Sequence, residues 1–289
     1  MNFKIRVTGL CIVIISACLL LSSFSYKYCK EKYNSLEILN NIIKAVDNIK
    51  TMRYDLQRNE RVKGKMVYSE SHVKLQTSPR KLYISITDGP ELLWIQGTNS
   101  GNALINPRAF PYINVNLDPM GSLMRKGQHH TINELGMEYL AEILKDGMKH
   151  SGEKLEKQFV VLGEEKYMNR TCYKISIAFP DFSWSSYTVK AGENLLTIAG
   201  KFHLSEYMLL ENNPQISWYN ETKAGQVIQI PNAYAKLILL MIDKEYMLPI
   251  SEKILDDKGL FESYEYYNLQ VNPPIASEEF TKEYKDYHF

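Results

Sequence analysis

The sequence is poor in the features that would identify an enzyme. It has no Gly-x-x-x-x-Gly-Lys-Ser/Thr loop to cradle a phosphate, no Gly-x-Ser-x-Gly elbow to expose a nucleophile, and no His-Glu-x-x-His helix to hold zinc. Charge of one sign is also missing. Thirty-four basic residues face 33 acidic ones, which excludes the basic excess that drives sequence-independent binding to nucleic acid. Cysteine is scarce, with four in 289 residues, too few for a disulfide scaffold. One long apolar run is present at the amino terminus. Lys4 and Arg6 precede an uncharged stretch from Val7 to Phe24, and Lys27, Lys30 and Glu31 follow it.

That pattern is an export signal with three possible exits. Ser23-Phe24-Ser25 offers small residues for cleavage, giving a secreted chain that begins near Tyr26. Ile15-Ser16-Ala17-Cys18 resembles a lipoprotein processing box, in which acylated Cys18 tethers the protein to a membrane. Left uncleaved, the run is about the minimum length that spans a bilayer. Every exit puts residues 26–289 outside the cytoplasm, in the periplasm or cell envelope. After cleavage near Tyr26 only Cys29 and Cys172 remain, and the sequence leaves open whether they pair. Asn169-Arg170-Thr171 and Asn220-Glu221-Thr222 match the short glycosylation acceptor pattern.

Beyond the leader, Leu36, Leu39, Ile42, Ile43, Val46 and Ile49 fall at the spacing of an amphipathic helix over residues 35–49. Residues 52–89 alternate apolar and polar, with turn points at Gly64-Lys65 and Ser78-Pro79, and predict successive antiparallel strands. Residues 99–128, rich in Gly, Pro and Asn, predict a long loop or lid. Thr131 then opens an amphipathic helix. Two strands over 157–179 and a meander over 234–272, with Asp257-Lys258-Gly259 as a hairpin turn, complete the pattern. The strand ending at Phe179 and the strand beginning near Tyr234 read as two arms of one hairpin carrying an insertion at its tip. Surface tips tolerate insertion of a unit whose own ends lie close together.

The insertion predicts a strand at Tyr187–Lys190, helices over 194–202 and 205–211, and a strand at Gln226–Ile230 stopped by Pro231. From the strand-turn-helix opening, through Asn213-Pro214, to the closing Ala224-Gly225-Gln226-Val227-Ile228-Gln229-Ile230-Pro231, it resembles the LysM domain, a small glycan-binding module. The resemblance implies a groove between two loops, fitted to an N-acetylglucosamine-containing glycan such as peptidoglycan. Gly192, Glu193, Asn194 and Leu195 would form one side, and Asn213, Pro214, Gln215 and Ile216 the other. Leu195 and Ile216 would cover sugar faces, or else fill the module's core. Glu193 and Asn194 depart from the family's usual Asp-Thr pair, which puts helix capping in question.

Outside the insertion, Glu60-Arg61-Val62-Lys63-Gly64, "VNLDPMG" before a helix near Leu135, and the ending with Asp286 and Phe289 resemble LolA-like envelope proteins. This implies an α+β fold: a curved antiparallel sheet forming an open barrel around helices, with the inserted βααβ module. The expected domains are a leader over 1–25, a discontinuous host over 26–184 and 233–289, and the module over 185–232. A lipid or lipoprotein held in the sheet's concavity is the natural ligand by resemblance. Trp94, Tyr83, Tyr173, Ile175 and Ile238 read more simply as sheet core.

Residue by residue, nothing points to catalysis, a metal or a cofactor. His129-His130 reads as an ordinary loop pair and Cys172 as a buried strand thiol. Arg61 reads as a solvated strand position, and Asp256-Asp257 and Glu278-Glu279 as surface runs. The expectation is a non-catalytic, exported protein that binds peptidoglycan. Its competitors are a periplasmic lipid or lipoprotein carrier and a wall hydrolase with an unrecognised site.

Overall fold

The computed structural model describes residues 33–151 and 157–289. The leader, Cys18 and Cys29 lie outside the described residues. Helix α1 (Ser35–Asp47) forms where the apolar spacing predicts it, with the Asn34 side chain accepting from the Glu37 amide at 3.2 Å as N-cap. It buries Ile38, Leu39, Ile42 and Val46.

The strands β1 (Thr51–Val62), β2 (Lys65–Thr77), β3 (Arg80–Ile86) and β4 (Glu91–Ile95) form a meander. Lys63 and Gly64 both take positive φ, as a two-residue hairpin turn requires. The region read as a loop contains two short strands, β5 (Ala103–Asn106) and β6 (Val115–Leu117), and a one-turn helix α2 (Ser122–Arg125). At three or four residues, such elements leave no periodicity to read. The amphipathic helix starts later than its sequence signal. Thr131 and Glu134 close a capping box around a single 3-10 turn, and Gly136 (φ +112°) breaks the chain before α3 (Glu138–Ser151).

Strands β7 (Phe159–Tyr167) and β8 (Arg170–Ala178) precede the insertion, whose own strands are β9 (Trp184–Thr188) and β10 (Val227–Pro231), and β11 (Leu237–Asp243), β12 (Leu248–Asp256) and β13 (Gly259–Val271) follow it. All eleven host strands join one curved antiparallel sheet in the order β6-β5-β4-β3-β2-β1-β13-β12-β11-β8-β7. It is open, because edge strands β6 and β7 are not neighbours. Cys172–Ala178 pairs with Leu237–Asp243 in continuous register, so the arms on either side of the insertion are adjacent strands. The Phe179 amide extends that ladder to the Lys236 carbonyl at 2.9 Å.

Between the arms, β9 (Trp184–Thr188), α4 (Leu195–Phe202), α5 (Glu206–Asn212) and β10 (Val227–Pro231) make the βααβ module. Its first strand starts earlier than expected, because Trp184 pairs with Pro231. Asn232 clamps the entry, its Oδ1 accepting from the Ser183 amide at 3.0 Å and its Nδ2 donating to the Asp181 carbonyl at 2.8 Å. The module has its own core of Val189, Leu195, Ile198, Leu209, Tyr219 and Ile228. Tyr207 and Met208 of α5 point the other way and pack into the host core with Ile254 and Phe261.

Candidate functional site

The two loops assigned to a glycan groove are tightly built. Asn194 and Thr197 form a complete capping box, so the departure from the usual pair leaves capping of α4 intact. Glu193 accepts from the Lys190 amide at 3.0 Å, from the Tyr187 hydroxyl at 2.8 Å and from Lys201 at 3.0 Å. These partners, the Lys190 amide first, hold its carboxyl down at about 2. Asn213 is buried and saturated. Its Nδ2 donates to the Leu209 and Gln229 carbonyls at 2.7 and 2.9 Å, while its Oδ1 accepts from the Gln229 amide at 2.8 Å. The Leu195 amide donates to the Tyr219 carbonyl at 2.9 Å, tying the first loop to the segment after α5.

This corrects one expectation. Leu195 and Ile216 are 0% and 4% exposed and fill the module's core, so their side chains cannot cover a sugar ring. Gly192, Pro214 and Gln215 are exposed, and Glu193 and Asn194 are half-buried. The partly exposed ring on the second loop is Trp218, which contacts Tyr219 edge-on at 5.0 Å and was not singled out from sequence.

A second site lies in the host. A cavity of about 380 Å³ opens between the sheet and the segment leading into α3. Leu56, Ile84, Leu92, Ile105, Leu123 and Ile132 line its apolar part, and Glu60, His130, Glu252, Glu262 and Tyr264 its polar part. The polar part grows from strand register: Glu60 on β1 stands directly opposite Glu262 on β13. Two like charges so placed repel, and both are 1% exposed. The histidines offset this. His129 Nδ1 lies 2.7 Å from Glu262, its Nε2 meets the Arg61 carbonyl at 2.8 Å, and its backbone amide donates to Glu60 at 3.1 Å. Because a carbonyl can only accept, Nε2 donates to it, and the ionised Glu262 carboxylate, also an acceptor only, takes its bond from Nδ1.

His130 Nε2 lies 3.2 Å from the same Glu262 oxygen and its Nδ1 3.5 Å from Glu134. Burial works against charge on His130, but the two carboxylates outweigh it and raise its pKa well above the ordinary value. Burial likewise works against charge on Glu262, and the histidines outweigh it, holding the carboxyl far below the usual range. The Tyr234 hydroxyl donates to Glu262 at 3.0 Å, and the Tyr264 hydroxyl lies between the two carboxylates, 2.7 Å from Glu60 and 3.1 Å from Glu262. Glu60, His129 and Glu262 are therefore close enough to share a metal ion, their ligand atoms lying within 4.8 Å of one another. Each already has protein partners, which accounts for the cluster without one.

His129 and His130 lie in a loop as read, but His129 is no ordinary loop residue: it is 2% exposed and stacks on Tyr207 of the module at 4.4 Å and on Phe261 at 4.2 Å. Arg61 is corrected as well. It is buried, with Nη1 3.1 Å from Asp256 Oδ1, a further short bond from Nη2 to the same carboxylate, and Nη2 3.0 Å from Glu211 of α5. Asp256 and Glu279 leave the surface for the same reason, since each has a cation: Glu279 binds Arg53 at 2.6 Å and Lys74 at 2.8 Å. Arg125 of α2 is likewise buried, bonded to Glu206 of the module and 3.8 Å above the Tyr219 ring. None of these pairings is local, so no spacing in the sequence announces them. Cys172 is fully buried, as its strand position implied, and has no disulfide partner among the described residues.

No curated protein matches the chain. Among solved structures it is similar to MucB of Pseudomonas aeruginosa in complex with MucA, at 12% identity over 86% of this chain and 61% of that one, with a TM-score of 0.41. It is similar to the lipoprotein LppX of Mycobacterium tuberculosis at 12% identity over 84% and 97% of the two chains, with a TM-score of 0.40. A LolA superfamily protein of Nitrosomonas europaea gives 8% identity over 87% and 99%, with a TM-score of 0.33. The chain spans about three fifths of the length of the MucB chain it matches. Two family models also match. The chain carries a LysM domain over residues 187–231, and residues 49–192 match a family described as protein of unknown function (DUF1571).

Proposed function

We propose that this is a non-catalytic envelope protein that binds the N-acetylglucosamine-containing glycan of peptidoglycan through its LysM domain. The observation that carries the reading is the complete βααβ module over residues 187–231. Within it, Gly192, Pro214 and Gln215 are presented to solvent by loops that Asn194 and Asn213 lock in place. The exposed Pro214 ring and Gln215 side chain, with the loop backbone beside them, suit contact with a sugar face and hydrogen bonding to its N-acetyl and hydroxyl groups. The apolar run over 7–24 supports export, with peptidoglycan as the glycan met outside the cytoplasm. Among the described residues no helix is long and apolar enough to cross a membrane.

The test is co-sedimentation of the whole chain with purified peptidoglycan, with soluble N-acetylglucosamine oligomers as competitor. Pro214→Ala/Gln215→Ala should lower retention at least tenfold while leaving the melting curve unchanged. Retention equal to the parent's would refute the groove. Gel overlays of peptidoglycan should show no clearing, and clearing would favour the hydrolase instead.

A second reading concerns the host. The apolar lining of the cavity favours an aliphatic chain as its occupant, making the host a holder of a lipid or of a lipoprotein's acyl group. Native mass spectrometry of the purified protein should then show a bound acyl species that Leu92→Trp, on the cavity wall, displaces.

A further inference from the structure

Exposed apolar side chains are concentrated in one segment of the host. Of the twelve large hydrophobic residues exposed among the described ones, six fall between Phe110 and Leu123. Phe110 is 88% exposed, Tyr112 74%, Leu123 69% and Ile113 61%. Scattered single residues of this kind need no explanation, whereas a contiguous run does. The run is ordered by its neighbours. Asp118 Oδ1 accepts from the Met120 amide at 2.9 Å, and β6 pairs with β5, so the apolar tip is displayed from a built base.

Two further facts say what covers it. The same segment borders the cavity: Leu117, Leu123 and Met124 are among the lining residues, so the exposed patch is continuous with an apolar interior. Charge along the segment suits an anionic surface. Between residues 107 and 126 three cations, Arg108, Arg125 and Lys126, accompany a single acid, Asp118. Lys126 stands exposed at the cavity's rim, while Arg108 and Arg125 are already paired with Glu91 and Glu206. Phe110 and Tyr112 meet edge-on at 6.5 Å, and aromatic rings of this kind favour the boundary between headgroups and acyl chains.

We infer that the segment from Phe110 to Leu123 docks into the interface of an anionic lipid bilayer, with the cavity mouth facing the acyl chains. A second copy of this chain would also bury apolar side chains, but it would not explain why the patch runs into a cavity. The inference goes beyond the wall-binding reading and stands if that reading fails.

The test uses the full chain reconstituted with vesicles of equal parts phosphatidylglycerol and phosphatidylcholine. Ile113→Cys carries an environment-sensitive fluorophore, and the unsubstituted chain, labelled in parallel, supplies the background from its own cysteines. Val227→Cys, an exposed residue of the LysM module, is the control. Emission at position 113 should shift to the blue on adding vesicles and be quenched at least threefold by a quencher attached to lipid acyl chains, with position 227 unchanged. Phe110→Ser/Leu123→Ser should abolish that quenching. Label at position 113 that stays in water would overturn the inference. So would a blue shift already present without vesicles and insensitive to the lipid-borne quencher, which is the signature of a protein partner.

Discussion

Replacing Arg61 by Ala tests how firmly the LysM module is held to its host. The guanidinium places Nη1 3.1 Å from Asp256 Oδ1 and 3.3 Å from the Leu260 carbonyl, with Nη2 3.0 Å and Nε 3.3 Å from Glu211. Burial alone would favour the neutral form, yet the hydrogen bonds the guanidinium donates to Asp256 and Glu211 more than offset it and raise the pKa. Removing the side chain leaves Asp256 wholly buried, and Glu211 nearly so, with no guanidinium to answer them. Breaking a buried ion pair from one side costs about 3–5 kcal/mol. For a chain of this size each kcal/mol lowers the melting temperature by roughly 2–4 °C, so a fall of about 10 °C is expected. Urea unfolding gives the free energy. A double-mutant cycle with Glu211→Gln isolates the part that crosses between host and module, expected within about 0.5–3 kcal/mol. Buried charges are weakly screened, so raising salt should change the result little. A total loss below about 1 kcal/mol, the range of exposed pairs, would refute the claim that this contact is desolvated.

Glu252 supplies a prediction about pH, since burial pushes its carboxyl up to about 7. A carboxyl raised on folding contributes stability below its unfolded value, near 4.3, and loses it as pH rises through 7, so Glu252→Gln should match the parent at pH 4 and exceed it by about 3 kcal/mol at pH 8. Urea midpoints at both values decide this, and equal midpoints at pH 8 would count against it. Asn213→Ala should cost about 2–4 kcal/mol, because the Leu209 carbonyl and both Gln229 backbone groups lose a buried partner, and glycan retention should fall with the thermal stability of the module. Cys172, fully buried and with its thiol pushed up to about 11 by that burial, should react with a thiol reagent only after unfolding; rapid labelling in native buffer would contradict it.

The parts of this structure that the sequence made legible are those in which neighbours in the chain are neighbours in space. The helix read over residues 35–49 and found over 35–47 followed from one apolar stripe, and the first hairpin turn, read at Gly64-Lys65 and found one residue earlier at Lys63-Gly64, from a glycine between two alternating runs. The module was legible because its turns and core positions sit at fixed spacing over forty-five residues. The polar cluster was not. Glu60 and Glu262 become a pair through the register of β1 on β13, and His129 reaches them from a segment without periodicity. One signal was available: Glu60-Arg61 places two charges together where β1 should turn alternate residues inward, and burial of either demands a distant partner. The place of two assigned groove side chains was illegible for a different reason. A leucine and an isoleucine beside exposed turns suit a sugar face and a miniature core equally well by pattern, and only packing showed that Leu195 and Ile216 are inside.

The way the module is attached bears on what it can do. A guest joined at a hairpin tip by two strands would ordinarily swing about that joint, yet here α5 has a face in each core. Leu209 packs in the module, while Tyr207 and Met208 complete the host beside Phe261 and Ile254. The Tyr207 hydroxyl accepts from the Lys63 amide at 2.9 Å in the β1–β2 turn, and its ring stacks on His129, which in turn touches Glu262 at the polar end of the cavity. On a second flank, Arg125 ties the cavity's rim segment to Glu206 and Tyr219. Cutting out residues 187–231 would therefore expose host core as well as remove the glycan loops, and loss of wall retention in such a deletion would not distinguish the two effects. Point changes at Pro214 and Gln215 do. Because the docked face is buried and its charges are matched, a glycan bound at those loops as proposed would hold the host, and with it the cavity mouth, in one orientation.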